Sequence, residues 1–137
     1  MATVTVRSQN NLRQQITAGI HQFIADEPIE SGGNDDGPDP YSYLISALGA
    51  CTSMTLTLYA RQKGWDLQKV EVHLKHEKIH AIDCTECETK EGKVDRIWRE
   101  IRLVGNLSDE QRSRLREIAK KCPVHRTLTS EISIVDL

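Results

Sequence analysis

Aromatic residues are scarce in this chain of 137 residues, with one Phe, two Trp and three Tyr. The core must therefore be aliphatic, and a stacking platform for nucleic-acid bases is excluded. Charge of one sign is lacking too, because 18 Lys and Arg stand interspersed with 20 Asp and Glu for a net charge of −2. That balance excludes the basic footprint of a nucleic-acid binder and an electrostatic membrane anchor. The opening stretch, MATVTVRSQNN, has no apolar segment of the kind a secretory signal needs, and no run approaches the eighteen or so apolar residues of a membrane span. These absences predict a cytoplasmic protein that engages neither nucleic acid nor membrane. Repeats and low-complexity tracts are missing as well, which leaves one domain, residues 1–137, large enough to bury roughly two thirds of the surface its unfolded form exposes. Four cysteines are present. Without a secretory signal they read as thiols, metal ligands or redox pairs rather than as a disulfide framework.

The long apolar segment lies at residues 39–64, DPYSYLISALGACTSMTLTLYARQKG. Leu44, Leu48, Cys51, Met54 and Leu58 recur at three- and four-residue steps and predict a buried helix. Asp39 can cap its first amides, Pro40 suits its first turn, and Gly64 after Arg61 and Lys63 supplies the stop. Ahead of it, residues 3–7 and 12–19 alternate as two strands around turn residues at 9–11, and 21–26 reads as a third. A polar, acidic loop then leads to the helix. Beyond Gly64, residues 65–79 and 94–105 alternate as two long strands. Residues 108–122 predict a second helix, opened by Ser108 with Gln111 in capping-box position and striped by Leu115, Ile118, Ala119 and Cys122. Pro123 ends that helix or begins a short new turn, and 130–137 alternate as a last strand. The order implies an α+β fold in which helices pack on one face of a mostly antiparallel sheet.

Cys51 and Cys122 thus fall on the apolar stripes of the two long helices. Should those helices pack together, the sulfurs can come within disulfide range, which needs Cα atoms roughly 4.4–6.8 Å apart. Each can equally fill core space, as buried free cysteine commonly does. A second group, His76, His80, Cys84 and Cys87, has the spacing H-x₃-H-x₃-C-x₂-C. Four such side chains can ligate zinc, and the two cysteines alone can form a reversible pair. The order matches no standard finger, so the expectation is a loop whose polar residues are solvated or pack on a partner subunit, with no metal and no other cofactor.

The segment PDPYSYLISALGACTSMTLTLYARQKG, followed by KKCPVHRTL, resembles the OsmC/Ohr family of peroxide-handling proteins. That family sets one cysteine in the middle of a central helix after Pro-x-x-x-Leu and a second in a helix-ending Cys-Pro, and the order of elements matches along essentially the whole chain. The resemblance implies an OsmC-like fold with two long helices in an intertwined homodimer, its active sites at the interface. It also implies a thiol peroxidase. Cys51 would attack the O–O bond of a hydroperoxide to give a sulfenic acid, Cys122 would condense with it to a disulfide, and a dithiol would reduce that bond.

The thiolate is the nucleophile, and an apolar setting works against it. Lowering a cysteine pKa from about 8.5 to about 6 takes roughly 3.4 kcal/mol. One cation about 4 Å away at an effective dielectric near 20 supplies approximately that amount. Relatives use an arginine near the first hairpin, held by a glutamate where the central helix starts. Arg13 lies in that region, ahead of Arg7, and Arg126, beside His125, is the alternative. The glutamate's position falls on Tyr41. A rival reading is a non-catalytic OsmC-like binding module that uses the interfacial pocket for a small apolar ligand or a partner domain; the missing glutamate favours it and the paired cysteines favour the enzyme.

Overall fold

A computed structural model describes all 137 residues, which divide into two compact units, Met1–Leu44 and Ile45–Leu137. The first unit is a three-stranded antiparallel sheet of β1 (Val4–Ser8), β2 (Gln14–Ala18) and β3 (His21–Ala25) in that order, followed by an irregular loop. β2 starts two residues later than its alternation suggests, because Leu12 and Arg13 complete the turn: Asn11 has φ 57° and Arg13 N–H donates to the Asn10 carbonyl at 3.2 Å. The acidic loop is organised by one buried side chain. Asp26 accepts backbone N–H bonds from Glu27, Asn34 and Asp36 at 2.8, 3.3 and 3.2 Å. Burial pushes the Asp26 carboxyl up, but those three amides and the Arg13 charge outweigh it and hold the group below its ordinary value. Gly33 lets the loop fold back so closely that a Cβ there would lie 2.0 Å from the Glu27 carbonyl oxygen.

The central helix α1 (Pro40–Lys63) begins and ends where its caps predict. The Asp39 carboxylate accepts the Ser42 N–H at 3.0 Å, and Gly64 takes φ 68° with its N–H on the Arg61 carbonyl. Within the second unit, α1 packs on the hairpin of β4 (Asp66–His80) and β5 (Lys93–Asn106) and on α2 (Asp109–Ala119). The core is aliphatic, as the shortage of aromatics requires: Leu56, Leu103, Leu115, Ile118 and Ala119 form its centre. A bulge between Leu67 and Lys69 turns the start of β4, and Gly105 opposite it, at φ 152°, approaches Asp66 so closely that a Cβ would sit 1.9 Å from its carbonyl oxygen. Arg112 of α2 donates to the Leu103 and Gly105 carbonyls at 2.7 and 3.0 Å, satisfying groups that no third strand reaches.

Several expectations need correcting. The single sheet is two separate antiparallel sheets. The buried stripe of α1 is Leu48, Thr52, Leu56 and Ala60 at strict four-residue steps, whereas Leu44, Met54 and Leu58 are exposed. Hydrophobicity misplaced the face because the helix is apolar or small nearly all round, so a fully buried position went to a threonine that bonds its own backbone. α1 is also long and apolar enough, by length and composition, to cross a membrane; its Thr, Ser and Gly residues interrupt any continuous apolar run without lowering the average enough. The second helix stops at Ala119, and Cys122 caps a separate short helix, α3 (Pro123–Leu128), with Pro123 in its first turn. Residues 131–137 form no strand. They pair with no sheet edge of their own chain, and Ile132, Ile134 and Val135 stand exposed.

Candidate functional site

The site is built from Thr52, on the buried face of α1 and fully inaccessible. A threonine at such depth must satisfy its hydroxyl, and this one donates to the Leu48 carbonyl one turn back at 2.7 Å. With its only proton spent there, the oxygen acts as acceptor for two other groups. Arg99 of β5 donates through Nη1 at 3.1 Å, and the Cys122 thiol lies 3.9 Å away. Cys122 is itself fully buried, and its sulfur accepts the His125 N–H at 3.3 Å as the cap of α3. Thus the second cysteine meets α1 at the residue immediately after Cys51. Both Cys51 and Cys122 are free thiols, the former half-buried.

Arg99 holds a position that periodicity assigns to the inside. Ile97, Arg99, Ile101 and Leu103 share one face of β5, and Arg99 pairs across the hairpin with Leu74. Its bonded partner is a neutral hydroxyl rather than a carboxylate. The same guanidinium borders an open cleft of about 580 Å³, walled by β5, by α3 through His125 and Leu128, and by the loop that carries Cys84 and Cys87. Burial, then the charges of Arg99 and Lys120, hold His125 below its ordinary value of 6.5. Its imidazole is accordingly neutral near pH 7.

The profile of the OsmC-like protein family matches residues 32–135. The chain belongs to this family. Solved structures agree on the fold. An OsmC-like protein from Mycoplasma pneumoniae superposes with a TM-score of 0.73 at 20% identity over 93% of this chain and 86% of its own. An organic hydroperoxide resistance protein from Elizabethkingia anophelis, with thiocyanate bound, gives 0.69 at 19% over 94% and 88%. The organic hydroperoxide resistance protein OhrB of Bacillus subtilis gives 0.64 at 19% over 94% and 90%. No curated protein matches the chain.

Within this OsmC-like chain the residues singled out from sequence fall in three places. Arg13 belongs to the first unit, where Asp36 holds its Nη1 at 3.1 Å and the Gln9 amide oxygen its Nε at 2.7 Å. A carboxylate from the acidic loop therefore anchors this arginine where Tyr41 offers none. Arg126 is exposed on α3 and stands outside the cleft wall. The His76–Cys87 group does not gather: His76 bonds Asp95 across the hairpin at 2.9 Å, and no cluster of three or more His, Cys, Asp or Glu is set out to hold a metal. Cys84 and Cys87 are joined in a disulfide, which corrects the expectation of a solvated loop. Arg99 was missed. The signal that could have found it was a charge on the inward parity of an otherwise aliphatic strand, a position an arginine holds only with something to bind.

Proposed function

We propose that this protein is a thiol peroxidase acting on hydroperoxides. The observation that carries the reading is the approach of Cys122 to α1 at Thr52, one residue from Cys51, with a guanidinium on the shared hydroxyl. The Cys51 thiolate attacks the terminal oxygen of the O–O bond; that bond breaks, the departing alkoxide takes a proton from solvent and leaves as an alcohol, and Cys51 becomes a sulfenic acid. Cys122 then attacks the Cys51 sulfur, expelling water and closing a disulfide. An external dithiol returns both thiols by exchange. When Cys122 ionises, the Thr52 hydroxyl can turn its proton from the Leu48 carbonyl to the sulfur while Arg99 keeps its bond to the oxygen, so the new charge is met without movement of the backbone. Arg99 thereby serves the resolving step. Arg13, steadied by Asp36, is proposed for the attack step at Cys51, with Arg126 as the alternative cation.

The same reading makes the protein a cytoplasmic homodimer. Its support is apolar surface left uncovered by one chain: Met54 and Leu58 on α1 are 65% and 56% exposed, and the tail offers Ile132, Ile134 and Val135. Replacing Cys51 with Ser should abolish hydroperoxide consumption, and Cys122→Ser should leave one oxidation event per thiol without turnover. An unchanged rate in Cys51→Ser would remove the proposal and leave the non-catalytic binding module.

A further inference from the structure

The loop between β4 and β5 carries chemistry that the peroxidase reading does not use. We propose that Cys84–Cys87 is a reversible dithiol–disulfide couple that exchanges with dithiols entering the cleft, a second redox centre independent of Cys51 and Cys122. Four observations support it. The two sulfurs sit on the wall of the cleft of about 580 Å³, so a reductant reaches them from an open space rather than through the core. They are unequal: Cys87 is partly exposed, whereas Cys84 is only 1% accessible. Two cations lie nearby, Lys90 with its Nζ on the Cys84 carbonyl at 3.3 Å and Arg96, which holds Glu86 at 3.1 Å and also borders the cleft. Finally, the bond is a poor staple. It closes a ring between residues three apart, the case in which a crosslink constrains the unfolded chain least. The loop is tethered without it, because Ala81 N–H donates to the Gly92 carbonyl at 2.9 Å and Cys84 N–H to the Ala81 carbonyl at 3.1 Å.

The exchange balances as follows. One thiolate of an incoming dithiol attacks the Cys87 sulfur, the reachable one; the S–S bond breaks and its electron pair leaves on Cys84, the residue whose carbonyl Lys90 holds. The second thiol of the reductant then attacks its own sulfur in the mixed disulfide and expels Cys87. Two electrons pass to the protein, two protons end on Cys84 and Cys87, and the reductant departs as a disulfide.

The experiment uses the Cys51→Ser/Cys122→Ser double variant, so that loss of peroxidase chemistry cannot be confused with loss of this couple. Native protein is equilibrated with graded ratios of reduced to oxidised dithiothreitol or glutathione, quenched by alkylation and weighed. A two-electron transition between the disulfide and the doubly alkylated form, without denaturant, is the expected result. A bond that reduces only after unfolding, or cysteines already alkylated in air-equilibrated protein, would overturn the proposal. Should the double variant not fold, peptide mapping of wild-type protein after the same quench reports the same pair. The direction of attack has its own readout: with glutathione disulfide, Cys84→Ser should form an adduct at Cys87 at least tenfold faster than Cys87→Ser forms one at Cys84, and equal rates would contradict the assigned order.

Discussion

Two arginines, one in each unit, show how a partner decides what a buried or half-buried charge can do. Arg13 is met by a carboxylate, Asp36, and by Gln9, which hold the guanidinium in place and offset part of its charge. Arg99 is met by the Thr52 hydroxyl, which positions the guanidinium without neutralising it. A carboxylate anchor gives placement and offsets part of the charge; a hydroxyl anchor gives placement and leaves the whole positive charge available to the thiol on the other side of the same oxygen.

The sharpest way to break this contrast is Arg99→Met. It removes a charge-assisted hydrogen bond worth about 1.5–3 kcal/mol, so closure of the Cys51–Cys122 disulfide should slow by roughly ten- to a hundredfold, while the first oxidation of Cys51 keeps its rate. Rapid-quench mass analysis separates the two steps, and a loss confined to the first would reverse the roles of the two arginines. Asp36→Asn should do less. The Arg13–Asp36 pair is more than a third exposed on both sides, so its removal costs about 0–1 kcal/mol and should reduce the rate of attack on a hydroperoxide by no more than about fivefold.

Acid should act on the same loop. Asp26 is held below its ordinary 3.8, so its contribution to stability is fully present above that value and is lost as pH falls through the lowered one. Protection of the amides of residues 26–37, taken against each amide's intrinsic exchange rate, should therefore fall near pH 3 but not near pH 6, and Asp26→Asn should abolish the difference. The smallest effect is on His125. Burial is the main cause of its lowered value and Arg99 the next, so Arg99→Met should raise the His125 pKa part of the way back toward 6.5, as read by NMR titration; no change would mean that the two charges do not sense each other.

Much of this architecture was legible before any coordinates. Asp39, Gly64 and the Ser108–Gln111 box mark helix ends because each satisfies a specific orphan amide or backbone angle locally, within a few residues. The hairpin of β4 and β5 is written in alternation for the same reason. What sequence misjudged depends on partners distant along the chain. Thr52 reads as polar and ends up fully buried, since Arg99 and Cys122 complete its hydrogen bonding from 47 and 70 residues away. The tail alternates like a strand, yet it pairs with neither sheet of its own chain, because alternation alone names no partner edge. Cys122 fits the α2 stripe by count, but Pro123 removes the N–H the helix would need next, so the cysteine becomes a cap instead. Arg13 was named through the family likeness; its ion-pair partner, Asp36, lies in the loop rather than in the helix and no helical spacing could have singled it out.

The account stands on Cys51 and Cys122 acting as one redox pair. Treating the reduced protein with one equivalent of an organic hydroperoxide, then alkylating and mapping its peptides, measures this directly. The prediction is loss of both thiols together with a peptide crosslinked through Cys51 and Cys122; a Cys51 driven on to sulfinic acid beside a Cys122 that still takes the alkylating reagent would contradict it.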